Sequence, residues 1–341
     1  LAVAVAAALV VPTQATFAQD ENLTEEVVVI GTRTEGRSAL DSPAPVDVIG
    51  GETMSNQGDT DMSNLLRNVI PSYNVNDQPI SDAATLVRPA NLRGLAPDHT
   101  LMLVNGKRRH RASVITWLGN GISNGSQGPD AAAIPALALK RIEVLRDGAS
   151  AQYGSDAIAG VMNFVLNDAR EGGSVEVRYG EYNEGDGEQV TIAGNIGLPL
   201  GDSGFLNLTA EWGESDPTSR SEQRADAQGL IDDGYQNVPV PAMIWGRPIV
   251  KDDMKLWANL GVDLSDTLEL YGHAYYNSKE VDGGFFFRNP TNRGAVYSGD
   301  GGATLLIGDL APSDGVDCPV VTMNGNIPDG DAFAQVQADP N

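Results

Sequence analysis

The stretch Met254–Asn277, MKLWANLGVDLSDTLELYGHAYYN, decides the fold. Met254, Leu256, Ala258, Leu260, Val262 and Leu264 alternate with Lys255, Asn259 and Asp263. After the short turn Ser265–Thr267, Leu268, Leu270, Ala274 and Tyr276 alternate with Glu269, His273 and Asn277. A period of two sustained this long predicts strands with one apolar and one polar face. The same pattern begins upstream, in Val175–Tyr179, Val190–Leu198 and Leu206–Trp212. Residues 173–276 therefore read as five long antiparallel strands, with no helix signal after residue 166.

The connections discriminate more than the strands. Pro199–Gly204 and Ser265–Thr267 are short, Asp216–Val250 and the segment after Val281 are very long, and Glu181–Gly187 is intermediate. Short and long turns in alternation mark an outer-membrane barrel, and strands of about 10 residues suit a tilted bilayer crossing. Tyr179, Trp212 and Tyr276 fall near strand ends, where an aromatic girdle belongs. Five strands cannot close a barrel, and an open edge in lipid leaves backbone groups unpaired. The reading therefore expects an incomplete barrel at 173–341 and a longer protein of the class with about 22 strands and a filled lumen.

What fills the lumen precedes it. PAPVDVI at 43–49 predicts a short strand, and Leu65, Leu66, Val69 and Ile70 share one face of a helix that Asp59, Thr60 or Asp61 caps and Pro71 ends. Residues 72–90 read as a strand-poor loop. Thr100–Lys107 is a buried strand ending in an Asn-Gly turn. Arg141–Leu166, RIEVLRDGASAQYGSDAIAGVMNFVL, holds two strands around a run of small residues from Gly148 to Gly160, which implies close backbone approach. The sum is an α+β domain over 43–168.

The N-terminus, LAVAVAAALVVPTQATFA, resembles the remnant of a secretory signal peptide ending near Ala18. Residues 19–42 are read as flexible, and Val27–Ile30 within them as a strand of β-branched residues. That strand fits an edge of the next domain and a segment completed by another protein's sheet equally well.

With 341 residues and a net charge of −24, the chain does not suit nucleic acid, which needs clustered cations. The basic run Lys107–Arg111 is read as structural or ligand-facing. Cys318 is the lone cysteine, so no internal disulfide or cysteine metal site is expected, and any disulfide partner lies outside this sequence. His99, His110 and His273 lack metal-ligand spacing, no nucleophile elbow occurs, and Gly148–Gly154 lacks the Gly-Lys-Ser/Thr of a phosphate loop. No enzyme, cofactor or metal site is expected.

Taken together, these segments resemble the TonB-dependent receptors of Gram-negative outer membranes, across nearly the whole chain and in the family's order. EEVVVIGTR (25–33) looks like a TonB box, PVDVIGGETM with LLRNVIPSYNV like the first half of a plug, and NLRGL with TLMLVNGKRR like its central strands. Residues 139–166 carry the most specific match. The resemblance implies that Glu25, Glu26, Val27, Val28, Val29, Ile30 and Gly31 pair with TonB, which is driven by its inner-membrane energising complex. It implies structural roles in the plug for Arg93, Gly94, Gly106, Arg141, Glu143, Arg146, Gly148, Tyr153, Gly154 and Gly160. Arg93, Arg141 and Arg146 are expected to meet carboxylates on neighbouring strands or on the barrel's inner wall, and Gly148–Gly160 to run close to that wall and to other plug strands. The insert 117–130 is long for a plug loop, so Trp117, Asn120 and Asn124 are the candidate ligand contacts. The implied partners are TonB, outer-membrane lipid and a bulky nutrient, with plug and TonB box facing the periplasm. The rival reading is a surface receptor that signals without transport.

Overall fold

The computed structural model describes residues 30, 45–59, 61–75, 82–116, 121–232, 234, 238–265, 267–283 and 287, and strand pieces at 304–305, 321–324 and 327–328. The first domain contains β1 (Val46–Gly50), α1 (Gly51–Ser55), α2 (Met62–Val69), β2 (Tyr73–Val75), β3 (Ala90–Leu92), β4 (Thr100–Val104) and β5 (Lys107–Arg108), then β6 (Leu139–Leu145), α3 (Ser150–Tyr153) and β7 (Gly160–Leu166). Its main sheet has the order β1-β6-β7-β4-β5, with β4 and β7 parallel and the other pairs antiparallel.

Both faces of this sheet are covered, which is why its central strands read as continuous apolar runs rather than alternating ones. Met102, Val104, Ile142, Val144, Met162 and Phe164 pack with Leu65, Leu66 and Ile70 of the α2 region. Leu101, Leu103, Leu145 and Val161 form the opposite face with Ala157 and Ile30. Asn105 and Gly106, with φ of 47° and 73°, make the tight β4–β5 turn that the Asn-Gly pair predicts.

Of the three candidate caps of α2, Asp61 does the work: its carboxylate accepts from the Asn64 N–H at 3.1 Å. Asp59 stands one step outside and accepts from the Asp61 N–H at 2.9 Å and from Asn64 Nδ2 at 3.0 Å. Arg88 pairs with Asp61. Burial pushes the Asp61 carboxyl up, but the charges of Arg88, Lys255 and Lys279 and the Asn64 amide outweigh it and bring the pKa down to about 2.

The structure corrects three expectations. Residues 72–90 are not strand-poor, because β2 pairs with β3, Tyr73 opposite Leu92. Arg141–Leu166 supplies most of β6 and all of β7 at the centre of the first domain's sheet, and the wall follows after Asn167–Gly172. The small residues of that stretch meet the domain's own backbone: at Gly160 (φ 151°) an added Cβ would strike the Leu145 carbonyl, and at Gly148 it would lie 3.4 Å from the Ile158 carbonyl. For Gly148, Gly154 and Gly160 the nearest neighbours are residues of the first domain. Finally, the long loop 216–248 contains a helix, α4 (Ala225–Asp232), held by burial of Ala227 and Leu230.

The second sheet is a meander of β8 (Gly173–Gly180), β9 (Gln189–Leu200), β10 (Gly204–Ser215), β11 (Ile249–Ser265) and β12 (Leu268–Asp282), each antiparallel to the next. Its alternation is inverted relative to a water-soluble sheet. Val175, Val177, Ile196, Leu208, Leu256 and Tyr276 are exposed on the outside, whereas Thr191, Asn195, Asn207, Thr209, Glu211, Lys255 and Asn259 are buried inside against the first domain. An apolar outer band is what lipid requires of a barrel wall. Short strands β13 (Thr304–Leu305), β14 (Val321–Asn324) and β15 (Ile327–Pro328) form a small separate sheet. No described helix is long and apolar enough to cross a membrane, which says nothing of strands.

Two outcomes are expected. Leu208→Arg, on the outward face near the middle of β10, should destabilise the full-length protein in lipid vesicles by about 2–4 kcal/mol; an unchanged denaturant midpoint would refute the lipid-facing assignment. Asp61 contributes stability that is complete above its unfolded pKa of 3.8 and is lost as pH falls towards about 2. The stability gap between wild type and Asp61→Asn should therefore be largest above pH 4 and close on acidification, as read by circular dichroism melts across pH.

Candidate functional site

The functional geometry lies along the seam between the first domain and the wall. Three kinds of contact cross it. The first is a chain of amides at mid-height. Asn105 Nδ2 donates to Asn259 Oδ1 at 3.0 Å, and Asn259 Nδ2 donates to the Asn167 carbonyl at 3.0 Å. Asn167 Nδ2 reaches Asn195 Oδ1 at 3.4 Å, and Asn195 Nδ2 donates to Asn207 Oδ1 at 2.6 Å and Thr209 Oγ1 at 2.8 Å. An amide both donates and accepts, so such a chain satisfies buried polar groups without burying charge.

The second kind is ionic. On the wall's inner face Lys255 Nζ, almost fully buried, pairs within the wall, 2.7 Å from Glu211 and 3.4 Å from Asp253, and two pairs cross the seam itself. Lys279 of β12 approaches Asp130 of the first domain at 3.8 Å. Higher up, Arg178 donates to the Asp59 carbonyl at 2.7 Å and Arg247 to the Asp59 carboxylate at 3.2 Å.

The third is aromatic. Trp257 occupies an inward position of β11 but belongs to the first domain's hydrophobic core, and its indole N–H donates to the Ala133 carbonyl at 3.0 Å. Its ring stacks on Tyr275 of β12 at 4.6 Å between centroids. The buried Arg109 guanidinium lies 5.5 Å from the Trp257 ring and 5.1 Å from the Tyr275 ring, and Arg109 Nε donates to the Asp130 carbonyl at 3.1 Å. Burial lowers the Arg109 pKa, against the raising influence of Tyr275 and Asp130.

The remaining members of the basic run are likewise engaged by protein. Lys107 sits over Tyr271, Arg108 pairs with Asp156, His110 stacks near Tyr275 and Arg111 approaches Asp98.

The residues singled out in the sequence are distributed as follows. Arg141 Nε donates to the buried Glu143 at 2.8 Å. Glu143 also accepts from Asn163 Nδ2 at 3.0 Å, and Asn163 Oδ1 accepts from the Gly106 N–H at 2.9 Å. Arg146 pairs with Asp47 of β1 at 2.6 Å. Arg93 donates to the Ala159 carbonyl at 3.3 Å and approaches Asp147 at 3.9 Å. Glu143, Asp47 and Asp147, the carboxylates these contacts involve, belong to the first domain, as the neighbouring-strand alternative expects. Gly94 carries a positive φ of 71°; Tyr153 and Gly154 form and end the short α3, where the Tyr153 carbonyl accepts from Arg108.

Asn124 is exposed at a turn, while Trp117 and Asn120 lie outside the described residues. Of the segment 25–33, Ile30 alone is described, and it is buried at 1% exposure in the cluster with Leu101, Leu103, Leu145 and Val161. Residues 1–18 and Cys318 also lie outside the described residues.

Sequence reasoning assigned no role in the seam to Asn105, Asn167, Asn195, Asn259, Asp59, Arg247 or Trp257. A signal existed for some of them. Asn195 and Asn259 stand at the polar positions of alternating strands, and Trp257 is an aromatic ring at such a position between Lys255 and Asn259. Among the described residues no cluster of His, Cys, Asp and Glu could hold a metal ion.

Comparison with known proteins places this geometry. Residues 38–161 match the family model described as TonB-dependent Receptor Plug Domain. The chain is 28% identical over 283 residues to the vitamin B12 transporter BtuB of Photobacterium profundum, covering 83% of this chain and 40% of that protein. It is 26% identical over 275 residues to the ferrienterobactin receptor of Escherichia coli, covering 78% and 33%. The iron-regulated outer membrane virulence protein of Vibrio cholerae is 28% identical over 204 residues, covering 59% of this chain and 29% of that protein. Among solved structures, the ferric enterobactin receptor PfeA of Pseudomonas aeruginosa superposes with a TM-score of 0.52 at 21% identity, over 70% of this chain and 33% of that one, a likeness of fold. The chain thus spans between 29% and 40% of the length of these curated relatives. Residues 38–161 are thus a TonB-dependent receptor plug domain, and with its inverted β-wall the chain is similar to the TonB-dependent receptors of the outer membrane.

Proposed function

We propose that this chain supplies the plug and first wall strands of an importer that carries a scarce, bulky nutrient across the outer membrane. Ferric siderophores, cobalamin, saccharides and peptides are the ligand classes considered, and the relatives named above for vitamin B12 and ferric enterobactin favour the first two. The observation that carries the reading is the inverted wall: lipid-suited outside, and fastened inside to a plug by hydrogen bonds and ion pairs. A seam of this chemistry exchanges its protein partners for water at modest net cost, because each bond contributes only about 0.5–1.5 kcal/mol net. An apolar seam would have no such replacement.

The outer membrane has no nucleotide supply, so energy arrives mechanically. In this reading TonB adds a strand to Val27–Ile30 and pulls, driven by its inner-membrane complex. Ile30 is the anchor of that segment at rest, with its side chain held in the apolar cluster of β4, β6 and β7. Engagement by TonB requires Ile30 to leave that cluster. Burying an isoleucine side chain is worth about 1.5–3 kcal/mol, small enough for a partner strand to replace.

Two experiments test this. Val28→Pro removes a ladder donor, so uptake from a panel of ferric siderophores and cobalamin should be abolished while binding to whole cells is retained; equal loss of both would sink the proposal. Ile30→Asp should release the segment, and a cysteine placed at position 28 should then react with a maleimide at least several-fold faster in isolated outer membranes. Unchanged labelling would show that Ile30 is not the anchor.

A further inference from the structure

The wall's loop end lies opposite the point where the chain enters it at Gly173. Two loops meet there, 181–188 between β8 and β9, and 216–248 between β10 and β11. They are tied to each other. Arg220 pairs with Asp186 and, at 3.1 Å, with Glu184, and the Ser219 N–H donates to Asp186 at 3.2 Å. The Asp216 N–H donates to the Glu188 carbonyl at 2.7 Å. The neck of the long loop is closed by Thr218 and Arg247, which exchange two bonds. The Thr218 N–H donates to the Arg247 carbonyl at 3.2 Å, and the Arg247 N–H donates to Thr218 Oγ1 at 2.8 Å.

The Arg247 side chain gathers three further parts of the molecule. Its guanidinium lies 5.5 Å from the Tyr182 ring of the first loop. It donates to Gln189 Oε1 at 3.5 Å on the wall and to Asp59 Oδ2 at 3.2 Å on the plug. Both side chains are largely buried, at 14% and 17% exposure. Asp59 in turn holds the Asp61 N–H and Asn64 Nδ2, the groups that start α2. Between that helix start and the wall lies a polar cavity of about 100 Å³, bordered by Asp61, Asn64, Arg88, Gln189, Arg247 and Lys255. Beside this cavity the wall grips Asp59 twice, through Arg247 on its carboxylate and through Arg178, which donates to its carbonyl at 2.7 Å.

We propose that Arg247 is the joint that makes the two loops and the start of α2 one cooperative unit, so that displacement of either loop is transmitted to the plug and movement of the plug to the loops. Such coupling is reciprocal by thermodynamic necessity. The inference rests on the receptor reading only for which side is outside.

The test is amide hydrogen exchange on the full-length protein in detergent micelles, with neither ligand nor TonB present, so its failure is distinct from a failure of transport. Arg247→Gln should speed exchange across Asn64–Ile70 by about tenfold, the loss of one charge-assisted hydrogen bond. Asp59→Asn should speed exchange in 181–188 and 216–224 to a comparable degree. In the double variant the effects should not add. Arg220→Gln, which unties the loops from each other but leaves Arg247 on Asp59, should loosen the loops and, through Arg247, speed exchange at the start of α2 as well; loosened loops with α2 unchanged would overturn the joint. Loosening of the loops alone in Arg247→Gln, or additive effects in the double variant, would overturn the joint. Should Arg247→Gln not fold, Asp59→Asn decides by itself: unchanged loop exchange overturns the proposal.

Discussion

Asn259 on β11 accepts from Asn105 and donates to the Asn167 carbonyl, and the architecture depends on bonds of this kind. A wall whose outer face must be apolar has only its inner face left for polar groups. Those groups are then buried against the plug, and a buried polar group without a partner costs about 1–3 kcal/mol. Plug and wall must therefore present matching donors and acceptors along the whole seam. The asparagines meet this requirement with neutral groups, and Lys279 with Asp130 and Arg247 with Asp59 meet it with opposite charges. The two sheets are separate in hydrogen bonding but are bound to one another by this matching.

The seam is not uniform. Trp257 leaves the polar pattern of its strand and enters the plug core beside Phe164 and Leu166, with Arg109 and Tyr275 stacked at its side. A buried tryptophan contributes far more than one amide bond, since large-to-small changes at such rings cost about 3–5 kcal/mol. The plug is thus held most firmly near Ala133 and Arg109, and by exchangeable polar contacts elsewhere. The core inside the plug is different again. Glu143, fully buried between Arg141 and Asn163, and the continuous strands β4, β6 and β7 make the central sheet the part that resists opening.

Extended alternation was legible because side chains of a strand point to opposite faces with a period of two, a property of the backbone alone. It marked β8 to β12 and the apolar and polar face of each, while the burial of the polar face against the plug is a finding of the structure. Helix α2 was legible through its apolar spacing and its acidic cap, and the β4–β5 turn through Asn105-Gly106. Helix α4 was not, because its eight residues are held by burial of Ala227 and Leu230, a condition set by the loop's surroundings. The pairing of β2 with β3 was hidden for the same reason: each strand has three residues, too few to show a period.

The sequence by itself determined which faces exist, where strands turn, and which segment is the plug. Only the tertiary structure decided which residues meet. Asp59 and Arg247 are 188 positions apart and Asn105 and Asn259 are 154 apart. Nothing local in either residue favours its partner, since an exposed arginine and an exposed aspartate satisfy themselves equally well with water. Their pairing follows from the curvature of the wall around the plug, which brings them together, and from burial, which removes the water.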